Sequence, residues 1–251
     1  MKRTILLLSV LALLFVGCKK STFTISGTIE GGAGKTIWLE EITPDDTMFI
    51  DSIKLDKKGH FKYKYKMPYR SFYNLHTTDD NYIVTLPDYG EHLKVDGKWE
   101  NLSVTYNIKG SPESMLLWQL QQFSNDGAKV LNTLVDTTNY YAQLYFDKKI
   151  DEQVVLNKKD ETDSIYRETF QEQQDYIFRF LEENQGSLTT LIALYKPFNN
   201  RLLIDTRDPG CIEWYDLVLE GLQGTCPDNP HTLSFKNTTE HLRSALARTN
   251  Q

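Results

Sequence analysis

From Phe61 to Met67 the chain alternates with a period of two. Phe61, Tyr63, Tyr65 and Met67 fall on one side and Lys62, Lys64 and Lys66 on the other. Successive side chains of a β-strand point to opposite faces, so this stretch reads as a strand with an aromatic inner face and a row of lysines in water. Similar runs surround it. Phe23, Ile25, Gly27 and Ile29 alternate with polar residues, and Thr36 to Ile42 answers them after a glycine-rich turn. Met48 to Leu55 is a third run, closed by the turn residues Asp56-Lys57-Lys58-Gly59. Further strands are expected at Phe72–Thr77, Tyr82–Leu86, His92–Val95 and Val104–Ile108. Many short strands with a turn every eight to twelve residues or so suggest an antiparallel sandwich or barrel.

The pattern changes at Gly110. Ser111-Pro112-Glu113 has the chemistry of a helix start: a capping hydroxyl, a proline in the first turn, and an acid near the positive end. Leu116, Leu120 and Phe123 follow at helical spacing. Asn125-Asp126-Gly127 is expected to interrupt the helix before Val130, Leu131 and Leu134 resume it, and Asp136 to Asn157 is read as helical. From Lys158 to Glu183, residues Ile165, Tyr166, Phe170, Tyr176, Ile177, Phe180 and Leu181 make an apolar stripe with charges largely off it. Ser187 can cap a helix over Leu188–Tyr195, which Pro197 ends. Asp208-Pro209 and Asn229-Pro230 open two more. The expected class is α+β: an N-terminal antiparallel β-sandwich or barrel over 23–110, then an all-helical region over 111–251.

The first residues precede that fold. Met1-Lys2-Arg3 is basic, Ile5 to Val16 is nearly all apolar, and Gly17-Cys18 closes the run. This is the order of a secretory signal peptide, here 1–17, and the apolar run is shorter than the roughly 20 residues of a bilayer span. Gly17-Cys18 resembles a bacterial lipoprotein cleavage site. The resemblance implies lipidation at Cys18 with 18–22 as a tether, and so a membrane partner reached through lipid. An ordinary signal peptide with a chance cysteine is the alternative. A net charge of −6 argues against nucleic acid as a partner, since phosphate binding needs a basic surface.

Chemistry is harder to find. Cys211 and Cys226 are not a Cys-x-x-Cys pair. A helix over Ile212–Gln223 would hold them about 16 Å apart, against the roughly 7 Å between Cα atoms that a disulfide allows, so they are expected as free thiols. An altered helix or an intermolecular bond is the alternative. Gly31-Gly32-Ala33-Gly34-Lys35-Thr36 looks like a phosphate-binding loop but lacks the leading glycine and a following helix, so a hairpin turn is the plainer reading. His60, His76, His92, His231 and His241 make no metal-ligand pair with one another or with a cysteine. Asp45-Asp46 and Asp79-Asp80 read as solvated turns. The Lys62/Lys64/Lys66 row could bind an acidic partner, though such rows more often guard an edge strand. No Gly-x-Ser-x-Gly elbow is present. Neither a catalytic residue, a cofactor nor a metal is therefore assigned.

The order Phe23-x-Ile25-x-Gly27-x-Ile29, Ile37-x-Leu39, Asp51-Ser52 and Gly59-x-Phe61-x-Tyr63 resembles the N-terminal β domain, a domain of unknown function, of thiol–disulfide oxidoreductase lipoproteins of Gram-negative bacteria. Gly110-Ser111 and Asn184-x-x-Ser187-Leu188 are similar to the helical segment that follows it there. In that family a thioredoxin-like domain with a Cys-x-x-Cys pair comes next, and the sequence ends at Gln251, about where it would begin. The resemblance implies an envelope lipoprotein related to redox proteins rather than an oxidoreductase. The expected function is a non-catalytic binding or scaffold module, with a separate thioredoxin-like chain as one candidate partner. The alternatives are a thiol redox enzyme using Cys211 or Cys226 and a carbohydrate-binding lipoprotein using surface Tyr and Trp. Lys19-Lys20, in place of the acidic residues that surface-displayed relatives carry after the lipidated cysteine, points to a periplasm-facing protein.

Overall fold

The structure, a computed structural model, describes residues 21–249. The expected signal segment over 1–17 and Cys18 lie outside the described residues. The chain opens with β1 (Thr22–Glu30), β2 (Thr36–Ile42), β3 (Thr47–Lys54), β4 (His60–Lys66), β5 (Phe72–Thr78), β6 (Asn81–Thr85) and β7 (His92–Lys98). A short helix α1 (Leu102–Thr105) and the strand β8 (Asn107–Lys109) follow. The rest is α2 (Pro112–Phe146), α3 (Glu152–Glu183), α4 (Thr189–Leu194), the two-residue strands β9 (Pro197–Phe198) and β10 (Arg201–Leu202), α5 (Cys211–Thr225) and α6 (Pro230–Thr249). The class is α+β, with the strands first and the helices after.

The strands form two four-stranded sheets, ordered β4-β1-β7-β8 and β3-β2-β5-β6. Their inner faces share one apolar core that includes Phe23, Ile25, Ile37, Leu39, Leu75 and Val95. The alternation on β4 resolves as its sequence predicts. Phe61 and Met67 are buried, Tyr63 and Tyr65 are half-buried, and Lys62, Lys64 and Lys66 are exposed. All strand pairs in the sandwich but one are antiparallel. β1 runs parallel to β7, with Gly27 opposite Val95. A Cβ at Gly27 would lie 1.6 Å from the Val95 carbonyl oxygen, so only glycine lets the two backbones approach this closely.

Several local expectations are corrected. Gly31–Lys35 joins β1 to β2, but these strands lie in different sheets, so the segment is a corner between layers and not a hairpin turn. The strand expected at Val104–Ile108 is the helix α1 followed by the shorter β8. Asn125-Asp126-Gly127 does not interrupt α2, which runs unbroken for 35 residues. A Cβ at Gly127 would come within 2.8 Å of Gln173 Cδ and 3.1 Å of Phe198 Cε2, so the glycine serves close packing rather than a break. The break falls instead at 147–151, inside the stretch read as helical, where Asp147 ends α2 and the Asp151 side chain caps α3 through the Val154 amide at 3.0 Å. Asn199 and Asn200, at φ 49° and 60°, make a tight hairpin between β9 and β10.

The helices bury a second core, and Phe72 of the second sheet and Leu86, just after β6, belong to it. At the passage from strand to helix, Gly110 has φ 83°, and a Cβ there would sit 2.1 Å from the His92 carbonyl oxygen. Ser111 caps α2 and also donates to the Leu86 carbonyl at 3.3 Å, while Ser114 Oγ accepts from the Leu86 amide at 3.0 Å. The first turn of α2 is thereby pinned to the end of β6.

Candidate functional site

A groove of about 340 Å³ opens where the second sheet meets the helices, walled by Ile42, Phe72, Ile192, Tyr195, His231 and Phe235. Asn229 anchors the helix start beside it. Its side-chain amide donates to the Arg70 carbonyl at 2.8 Å, and its side-chain oxygen accepts from the His231 amide at 2.9 Å. This fixes the first turn of α6 against the chain before β5. The His231 ring then lies edge-on to Phe72, with centroids 5.1 Å apart, and places Nε2 3.0 Å from Ser71 Oγ. Ser71 donates its proton to the Ile42 carbonyl at 3.1 Å, so its oxygen accepts from His231 Nε2–H. Burial holds the neutral imidazole and pushes its pKa down to about 4.

A serine and a histidine at this distance are the beginning of a nucleophilic pair. Here the hydroxyl is fully buried and its proton is committed to a backbone carbonyl, so it is not presented to the groove. The pair joins sheet to helix. A second pin lies beside it. The Arg70 guanidinium reaches Glu113 at 3.3 Å and Asp88 at 3.8 Å, and Ser187 Oγ donates to the other oxygen of Glu113. Sequence reasoning named His231 only as a scattered histidine. Ser71 is 160 positions away, and no local pattern links the two.

Cys211 and Cys226 lie at opposite ends of α5 and are free, Cys211 buried and Cys226 half-buried. Burial first, and then the negative charges of Asp208 and Asp205, push the Cys211 thiol upward. Arg207, the nearby cation, is committed to Asp205: Nε bonds Oδ1 at 2.9 Å and a terminal nitrogen bonds Oδ2 at 2.6 Å. That pairing holds the Asp205 carboxyl well below the usual carboxylate range. A reactive thiol needs the opposite surroundings, exposed and electropositive.

Two further groups escaped the sequence. Glu41 continues the inward alternation of Ile37 and Leu39, and it is buried among the tyrosines of the sandwich. Burial, with the Glu41 charge, raises the Tyr69 hydroxyl above its ordinary value. Lys196, a lone lysine between Tyr195 and Pro197, points inward and donates to Gln121 Oε1 at 3.0 Å. Burial lowers its amine to about 8. Elsewhere the histidines stay apart. His60 pairs with Asp56 at 3.2 Å, and His76 lies 3.4 Å from Glu40. Among the described residues no group of three or more His, Cys, Asp or Glu is placed to hold a metal ion. Among them, too, no helix is long and apolar enough to cross a membrane.

The other exposed feature is the antiparallel pair α2–α3. Its near half packs on the helical core, with Phe123 stacked on Tyr176 at 3.8 Å. Beyond Gly127 no residue of α2 is buried, and Phe146 at the tip is 78% exposed.

Fold and junction together define a β-sandwich carrying a helical layer and a projecting two-helix arm. Residues 23–117 match the family model described as Domain of unknown function (DUF4369), a stretch covering both sheets and the first turns of α2. No curated protein and no solved structure matches the chain.

Proposed function

We propose that this is an exported, lipid-anchored protein of the cell envelope that acts as a non-catalytic binding or scaffold module. The projecting arm carries the reading. Val135, Tyr140 and Phe146 are each more than half exposed on α2, and large apolar side chains left in solvent together on one arm favour a protein contact. The sandwich and its pins supply a rigid base. Lys19-Lys20 after Cys18, and the resemblance of the N-terminal half to the oxidoreductase lipoproteins, support a periplasm-facing anchor related to redox proteins. The buried, electronegative setting of Cys211 speaks against thiol chemistry as the activity. Two measurements test the reading. Wild-type protein is expected in the membrane fraction and Cys18→Ser in the soluble periplasmic fraction. The purified protein is expected to give no thiol-dependent reduction of insulin. Retention of Cys18→Ser in the membrane refutes the anchor, and insulin turnover refutes the non-catalytic reading.

A second reading, carbohydrate binding, is favoured by one observation. Trp38 lies 5.6 Å from the His76 ring beside an open hollow with Thr77 and Asp79 on its rim. Aromatic faces beside polar groups suit sugar rings. Retardation in polysaccharide affinity gels that is lost in Trp38→Ala would establish it.

A further inference from the structure

One side of the arm is a continuous trough. It is about 290 Å³ where Leu131, Val135 and Tyr166 line it and about 210 Å³ where Ala142 and Val155 do. Both parts share Thr138, Thr162 and Asp163, so they run into one another. Besides Leu134, Asn139 and Tyr141, the α2 lining includes Leu131, Val135, Thr138 and Ala142, and the next position in that row is Tyr145. Steps of four, three, four and three residues are the repeat of a helix–helix seam. Leu131 and Ala142 are half-buried, while Val135, Thr138 and Tyr145 are exposed, Val135 at 56%.

Charge indicates the occupant. Between Val130 and Phe146 the only ionised side chain is Asp136. Two residues from Thr138, it lies about 200° around the helix, away from the trough. On the α3 wall, Lys159 is paired with Asp163 and Lys158 with Glu161. A partner bringing charged groups here would strip their water without supplying a counter-ion. The α2 face of a second copy brings none.

We infer that two copies of this chain pair through the trough, with their α2 helices antiparallel and Thr138 of each at a two-fold axis, so that two arms form a four-helix bundle. The contact is isologous, the commonest way for a homodimer to close. It sets Leu131 opposite Tyr145 of the second copy and Val135 near Ala142 of the second copy, large beside small along the seam. The short Thr138 side chain leaves the axis open for close approach. This inference rests on the scaffold reading and names one contact the arm makes.

The test uses the full chain in its own membrane. Thr138→Cys, oxidised with copper phenanthroline, is expected to give a species of twice the chain mass on a non-reducing gel. The parent chain and Thr133→Cys, on the far side of α2, are expected to give none. Adding Val135→Glu is expected to cut that species at least ten-fold while circular dichroism stays unchanged, since Val135 is already largely in solvent. Absence of the species, or its persistence with Val135→Glu, overturns the inference. A disulfide from Thr138→Cys to some other envelope protein also overturns it, and leaves the scaffold reading standing.

Discussion

His231 Nε2 lies 3.0 Å from Ser71 Oγ, and with the Asn229–Arg70 bond this contact ties the first turn of α6 to the residues just before β5 of the second sheet. The imidazole is neutral in the fold, with its pKa pushed from 6.5 to about 4 by burial. Between those two values the unfolded chain binds a proton that the folded chain does not. Stability is therefore full above about pH 6.5 and is lost as pH falls toward 4. The loss expected from this group is about 3 kcal/mol. His231→Gln keeps an N–H donor toward Ser71 without titrating. Urea unfolding at pH 7 and at pH 4.5 should show a smaller acid loss in the variant than in the wild type, and equal losses would disprove the assignment.

Lys196 titrates at the other end of the scale. Its amine is lowered from 10.5 to about 8, so the unfolded chain binds more protons between those values and stability rises with pH across the window. Lys196→Met removes this dependence. The variant should gain most over the wild type near pH 7, with the advantage shrinking by about 3 kcal/mol as pH approaches 10.5. Thermal melts at three pH values check it, and a constant difference would contradict it.

Two glycines of α5 should respond in opposite directions to the same substitution. Glycine inside a helix costs about 1 kcal/mol relative to alanine. Nothing lies within 4 Å of a Cβ at Gly224, so Gly224→Ala should stabilise by about 0.5–1 kcal/mol. A Cβ at Gly221 would lie 2.1 Å from the Gln185 backbone oxygen. Gly221→Ala should therefore destabilise, by roughly 1–3 kcal/mol. Urea midpoints for the two variants decide this, and stabilisation by both would mean that α5 does not pack on the Gln185 loop.

Cys211 should resist brief alkylation of the native protein at pH 7.5, because it is buried and its thiolate is disfavoured by Asp208 and Asp205. Cys226 is half-buried, with its sulfur 3.5 Å from Thr232 Oγ1, and should react first. Peptide mass mapping after timed labelling reads the order. Rapid modification of Cys211 would revive the thiol-enzyme alternative.

Much of the fold was legible because it rests on periodicity. β4 was readable residue by residue, since alternation of aromatic and lysine carries the strand and its two faces together. The starts of α2 and α6 were readable from Ser111-Pro112 and Asn229-Pro230, because caps are local chemistry. Where local signals competed, the reading failed. Val104 favours a strand on propensity, yet α1 forms because its segment caps the core through Leu102. Asn125-Asp126-Gly127 looks like a breaker, yet α2 continues because Gly127 is the one residue small enough to pass Gln173 and Phe198.

The sequence by itself determined the α+β class, the strands β1 to β7, the starts of α2 and α6 and the basic–apolar–cysteine start at residues 1–18. Each of these is written in neighbours a few positions apart. Only the tertiary structure decided that β1 pairs in parallel with β7, that Ser71 meets His231, that Arg70 meets Glu113, and that Lys196 turns inward to Gln121. These partners lie tens of residues apart or more. Their contacts follow from how two layers close over a shared core, a long-range balance of burial and hydrogen bonding that no local pattern encodes.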